Sequence, residues 1–173
     1  GFDRDSAALG RAEPLLADLS VRLLAGNFST AADVLPALGV HAVDGILLDL
    51  GMSSDQLSDA TRGFSFDAPG PLDLRVDTGD GEPAWKLLER LSERHLADLI
   101  YEWGEERASR RIARAIVRAR PEEPVNTTGR LAEIVAGVLP RGVKSAPTHS
   151  RVFQALRIAV NEEMDAVGEV LAQ

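Results

Sequence analysis

Cysteine is absent from the 173 residues. Disulfides and thiolate metal sites are thereby excluded, and the usage fits a cytosolic protein, so the expected location is cytoplasmic. Histidine is scarce: His41, His95 and His149 lie too far apart in sequence to suggest a metal cluster, and each is expected to be a surface or structural side chain. No apolar run approaches the roughly 18 residues that a membrane span requires, so no membrane partner is expected. No Gly-x-Gly-x-x-Gly loop occurs, which weighs against a generic nucleotide-binding Rossmann protein. The N-terminus does not read as a signal or transit peptide, because the acid-rich Gly1-Phe2-Asp3-Arg4-Asp5 opens the chain. Positive charge is in deficit, with 19 Lys and Arg against 27 Asp and Glu and a net charge of −8. That balance argues against indiscriminate nucleic-acid binding and leaves room only for a local basic face.

What is present points first to Val43-Asp44-Gly45-Ile46-Leu47-Leu48-Asp49-Leu50-Gly51-Met52-Ser53-Ser54. Residues 43–50 form a short, nearly continuous apolar run, as suits a strand buried on both faces of a parallel sheet, although length alone does not exclude a buried helix. Asp49 would then fall at the strand's carboxyl end, where open α/β sheets hold their ligands. Gly51 would allow close backbone approach, and Ser53 or Ser54 would cap a following helical turn.

The apolar fraction of 45% is enough for a core, and the length suits one domain or one domain with a small insert. Residues 1–42 read as strand, helix, strand, helix: Phe2 ends a strand, residues 6–19 carry a helical pattern flawed by Pro14, and 21–25 form a second strand closed by Gly26-Asn27-Phe28. With the run at 43–50 this order predicts a parallel, doubly wound sheet. Asp3, just past a strand, reads either as an acceptor for ribose hydroxyls or as a helix-N-terminal carboxylate beside Arg4. Phe28 either stacks on an adenine or plugs the sheet's edge. Residues 51–82 show no sustained period, yet their interleaved aromatics argue against disorder, which predicts a folded active-site loop.

From Pro83 onward the character is helical. Apolar faces recur in helices after Pro83, after Ser92, over 105–120, from Thr127 or Thr128 to Pro140, and from Arg151 to the end. The expected division is an α/β domain from residues 1–82 and 149–173, with a helical domain inserted at 83–148. Arg107, Arg110, Arg111, Arg114 and Arg118 follow a spacing that, at about 100° per residue, puts them within roughly 60° either side of one line. They serve either surface pairs with Glu102, Glu105, Glu106, Glu122 and Glu123 or phosphate oxygens, which guanidinium forks bind bidentately. Arg151, taken as the head of the last helix, lies at the positive dipole end, which an anion or an acidic partner would relieve.

The stretch 44–54 with Gln56-Leu57 closely resembles the core motif of the bacterial ribosomal RNA small-subunit methyltransferase H family. Arg62-Gly63-Phe64-Ser65-Phe66, Gly70-Pro71-Leu72-Asp73-Leu74-Arg75, Gly104-Glu105-Glu106-Arg107, Arg110-Arg111-Ile112-Ala113-Arg114-Ala115-Ile116 and the run from Phe153 to Asn161 match as well. The resemblance implies methyl transfer from S-adenosylmethionine to the exocyclic N4 of a cytosine in small-subunit (16S) ribosomal RNA, on a Rossmann-like methyltransferase sheet with a helical insert. It implies that Asp3 binds the cofactor's ribose, that Phe28 contacts the adenine, and that Asp49 and Gln56 complete the cofactor set. Asp49 would also hold the target amine, and Arg107, Arg110, Arg111, Arg114, Arg118 and Arg151 would contact RNA. Small ribosomal subunits or their RNA are the implied partner, with a homodimer left open. Against the family pattern the sequence reads as an internal fragment. It starts at the second strand without the preceding glycine-rich cofactor loop, and it stops before the last strands and their Ser-Phe-His-Ser type motif. The family's His-Pro-Ala-Thr-Arg reads here as Pro147-Thr148-His149-Ser150-Arg151. A noncatalytic RNA-binding fragment is the competing reading.

Overall fold

The computed structural model describes residues 1–173. The elements are β1 (Phe2–Asp3), α1 (Ser6–Leu16), β2 (Leu24–Ala25), α2 (Ala31–Ala37), α3 (Ser54–Ser58), α4 (Ala84–Arg90), α5 (Glu93–Gly104), α6 (Ser109–Ala119), α7 (Thr128–Val138), α8 (Ala146–Asn161) and α9 (Glu163–Leu171). The protein is thus mixed α/β and mostly helical, with a two-stranded parallel sheet. It divides into two compact units, one of residues 1–51, 76–79 and 162–173, the other of residues 52–75 and 80–161. The expected insert boundaries at 83 and 148 fall inside the second unit. No helix is long and apolar enough to cross a membrane.

In the first unit β1 and β2 pair Phe2 with Leu24 and Asp3 with Ala25. Asp5 caps α1, its Oδ1 accepting from the Ala7 and Ala8 amides at 3.0 and 3.3 Å. The turn at Phe28–Thr30 is held at the C-terminus, where the Gln173 side chain bonds the Ser29 carbonyl and the Ala32 amide. The expectation of a central strand at 43–50 is overturned. That segment is irregular, and Ile46, Leu47 and Leu50 are 70%, 92% and 54% exposed. The reason is non-local: a strand is stable only with a ladder beside it and cover on its faces, and here the sheet consists of two two-residue strands bonded to each other.

The core sits in the second unit, where Leu72, Leu88, Leu96, Ile100, Ile112, Ile116, Leu131, Val135, Val152 and Leu156 are all 0–1% exposed. These helices start where short polar side chains satisfy otherwise orphaned amides. Ser92 Oγ accepts from the His95 amide, and Thr127 Oγ1 from the Arg130 amide, both at 3.2 Å. Arg120 closes α4 from a distance, its Nη1 donating to the carbonyls of Leu88 and Leu91 at 2.7 and 2.8 Å. Gly104 ends α5 against α8: a Cβ there would lie 2.5 Å from the Arg151 carbonyl oxygen and 3.2 Å from the Ala155 methyl.

The last long helix begins earlier than expected. α8 starts at Ala146, so Thr148 and His149 are buried inside it rather than ahead of it. His149 Nε2 bonds the Ala132 carbonyl at 3.0 Å, and its ring lies 5.3 Å from that of Phe66. The expected helix over 105–120 is shorter, Ser109–Ala119, because Glu105 turns left-handed at φ 52° to close α5.

Candidate functional site

Two groups of side chains carry the expected chemistry, one in each unit. In the first, the parallel pairing of β1 and β2 brings two carboxyl ends side by side, and the residues just past them are neighbours. Gly26 donates its amide to the Asp3 carbonyl at 2.9 Å. At φ +146° it takes a backbone conformation that other residues rarely adopt. Asn27 then caps the next turn, accepting from the Ser29 amide at 3.1 Å, which sets Phe28 half-buried at its start. Asp3 is exposed, with its Oδ1 accepting from the Asp5 amide at 2.8 Å. An exposed carboxylate and a half-buried ring at adjoining parallel strand ends suit a ribose and an adenine.

Asp49 belongs to the same unit but stands exposed in irregular backbone, so no strand end presents it. Gln56 lies in the second unit, buried on α3. Its Oε1 accepts from the Ser53 amide at 3.0 Å while Ser53 Oγ accepts from the Gln56 amide at 3.2 Å, a reciprocal capping box. Asp3 and Phe28 are the side chains of the first unit that could hold the nucleoside half of a cofactor.

The part of the expected loop that lies in the second unit, residues 52–75, is folded. Phe64, Leu72 and Leu74 are buried in it, and Pro71 bridges to Thr127. Leu74 is left-handed at φ 65°, and buried Asn161 holds its carbonyl through Nδ2 at 2.8 Å. Arg75 grips Asp73 with Nε to Oδ1 at 2.7 Å and Nη2 to Oδ2 at 2.9 Å. Burial pushes the Asp73 carboxyl up, but the hydrogen bonds and charge of Arg75, with the charge of Arg62, outweigh it and hold the group below its ordinary value. A carboxyl lowered in the folded state stabilises the fold above its unfolded pKa, and that contribution is lost as pH falls through the folded value. Asp73→Asn should therefore destabilise the protein at neutral pH by about 1–3 kcal/mol. It should also flatten the fall in stability below about pH 4, read by urea titrations between neutral and acidic pH.

On α6 the arginine face is as the spacing predicts for Arg110, Arg111, Arg114 and Arg118, which are exposed, with Ile112 and Ile116 buried on the opposite side; Arg107 is exposed too but lies in the turn before the helix. The glutamates available to neutralise them are used elsewhere or not at all. Glu106 is 5% exposed and turns inward, its Oε1 accepting from the Ala108 amide at 2.7 Å and its Oε2 lying 3.5 Å from Arg151 Nη1. Glu123 pairs with Arg130 at 3.3 Å. Within the stripe only Arg114 has an acid in reach, Glu93 of α5 at 3.1 Å. Arg151 is not at a helix head, since α8 begins five residues before it, and the acid it meets is Glu106.

Arg94 was missed from the sequence. It joins Glu93, Ala97, Asp98, Arg110 and Arg114 around a groove of about 560 Å³ between α5 and α6. Its i,i+4 spacing to Asp98 was legible, but its place opposite Arg110 depends on how the two helices pack.

A family model described as the MraW methylase family matches residues 1–173. A ribosomal RNA small subunit methyltransferase H from Granulibacter bethesdensis is 51% identical over 173 residues, covering 99% of this chain and 52% of its own length. Proteins of the same description from Geotalea uraniireducens and Deinococcus radiodurans are 46% and 49% identical, each over 99% of this chain and over 56% and 54% of their own lengths. The chain spans about half the length of the curated relatives it matches.

Proposed function

Because the chain belongs to the MraW methylase family, we propose that it is part of an enzyme that methylates the exocyclic N4 of a cytosine in small-subunit ribosomal RNA, in the bacterial cytoplasm. The relatives carry that RNA in their descriptions. The single observation that carries the reading is the exposed arginine stripe of α6 and the turn before it, five arginines of which four have no carboxylate partner in the chain. In a protein of net charge −8 such a face is sustained by an external anion, and RNA phosphates supply it.

Residues 83–148 act in this proposal as an inserted helical domain that recognises RNA, with Arg151 of α8 as a further contact. The sheet residues belong to an incomplete Rossmann-like methyltransferase domain. S-adenosylmethionine, when bound, supplies a methyl group on a positively charged sulfur. Asp3 would accept hydrogen bonds from its ribose hydroxyls, Phe28 would pack on its adenine, and Asp49 would complete the set. Asp49 would also accept a hydrogen from the target amine while holding its nitrogen in line with the methyl carbon, which would part from the sulfur to leave a neutral thioether, so its task would be alignment more than strong basicity. The cytosine reaches it flipped or unpaired.

The test is transfer of labelled methyl from S-adenosylmethionine to small ribosomal subunits by a full-length protein containing this chain, with the product located on cytosine N4. Incorporation is expected, and Arg107→Gln with Arg111→Gln should weaken RNA binding and lower the log–log salt slope by roughly 0.7–0.9 per lost contact. RNA binding without incorporation would favour a noncatalytic RNA-binding role. An unchanged salt slope accompanied by a fall in thermal stability would remove the stripe from the interface.

A further inference from the structure

We infer that the groove between α5 and α6 is a phosphate site for the RNA backbone, and that Arg94, Arg110 and Arg114 form its cation set. Glu93 and Asp98 hold the anion's place while the site is empty. The inference rests on the RNA reading above and names where on the helical unit a phosphodiester seats.

The stripe on α6 has two flanks. At about 100° per residue, Arg110 and Arg114 turn to one side of its midline and Arg111 and Arg118 to the other. The first flank faces α5, since both residues line the groove with Glu93, Arg94, Ala97 and Asp98. Ala97, 6% exposed, offers only a methyl group, so no bulky side chain fills the space. The volume of about 560 Å³ falls in the range of roughly 300–1,000 Å³ typical of small-ligand sites, enough for a phosphodiester and its ribose.

Charge decides what enters. Three guanidinium groups face two carboxylates, which leaves the rim cationic in a chain that is otherwise acidic. Arg114 lies 3.1 Å from Glu93 and Arg94 lies 3.7 Å from Asp98, whereas Arg110, on the same groove, has no carboxylate partner. All four paired side chains are between 43% and 88% exposed, so both pairs are solvent-screened and readily exchanged. A phosphate engages guanidinium forks with two oxygens at once and displaces such carboxylates. Glu93 and Asp98 thus orient the arginines before binding and compete with the phosphate during it.

The competition makes the inference testable, because removing an acid should strengthen binding. Transcribed small-subunit ribosomal RNA is titrated against the full-length protein carrying Arg94→Gln, Glu93→Gln, or Glu169→Gln. The last removes the same charge from an exposed position on α9 and serves as the charge control. Arg94→Gln should lower the salt slope by roughly 0.7–0.9. Glu93→Gln should tighten binding by roughly 1.5- to 5-fold over the control. If Arg94→Gln leaves the slope unchanged and Glu93→Gln matches Glu169→Gln while the Arg107/Arg111 double variant still weakens binding, the groove is not the phosphate site and the stripe reading stands. If none of the variants changes RNA binding, the RNA reading fails with it.

Discussion

Gly63→Ala is expected to lower the stability of the second unit by about 2–5 kcal/mol, the sum of two independent penalties. Gly63 sits at φ +72°, a left-handed conformation that costs an L-residue roughly 1–2 kcal/mol. A Cβ there would also lie 2.1 Å from the Pro71 carbonyl oxygen and 3.0 Å from the Asp73 amide nitrogen. Neither neighbour gives way easily. Pro71 bridges to Thr127, and Asp73 is clamped by Arg75. The cost should therefore appear as a lower denaturation midpoint together with loss of the low-pH signature of Asp73. Gly137→Ala is the matched control. That glycine lies in α7 with nothing within 4 Å of its added Cβ, and the change should stabilise the protein by about 0.5–1 kcal/mol through helix propensity. A Gly63→Ala midpoint within experimental error of wild type would show that the backbone at Pro71 and Asp73 shifts to admit the added methyl group.

Asp49→Ala in a full-length protein should reduce methyl transfer to small ribosomal subunits by at least about 100-fold, the scale lost when a reacting group is misaligned. Folding should be untouched, because Asp49 is exposed and lies in irregular backbone away from the buried core. Asp49→Asn distinguishes two roles. The amide retains an acceptor oxygen and similar shape, so a carboxylate needed only for alignment should be partly rescued by it. One needed to take the amine's proton should not. The readout is kcat against KM for S-adenosylmethionine: a change confined to KM would make Asp49 a cofactor contact alone, and near-wild-type turnover would remove it from the site.

The second unit was largely legible in advance, and the first was not. Ser92 and Thr127 announced α5 and α7 because a cap and a 3.6-residue period are local, needing only residues a turn or two away. The same locality failed at α8. The last helix was expected from Arg151, but Thr148 and His149 are buried against neighbouring elements, and the helix reaches back to Ala146. At 43–50 the apolar run spoke for a strand, and no strand formed, since pairing depends on a neighbouring ladder that β1 and β2 do not extend to it. In the first unit, Asp3 ends β1 and Phe28 opens the turn after β2, positions that follow from local spacing. The placement of Asp49 depended on the strand that is absent.

The sequence by itself determined that α6 would show its arginines on one side and its isoleucines on the other, because helical periodicity follows from the backbone alone. Tertiary structure decided what those arginines meet. It set Glu93 beside Arg114, turned Glu106 inward to Arg151, and opened a groove between α5 and α6. Such encounters join residues far apart in the chain, and only packing of the buried faces brings them within reach of one another.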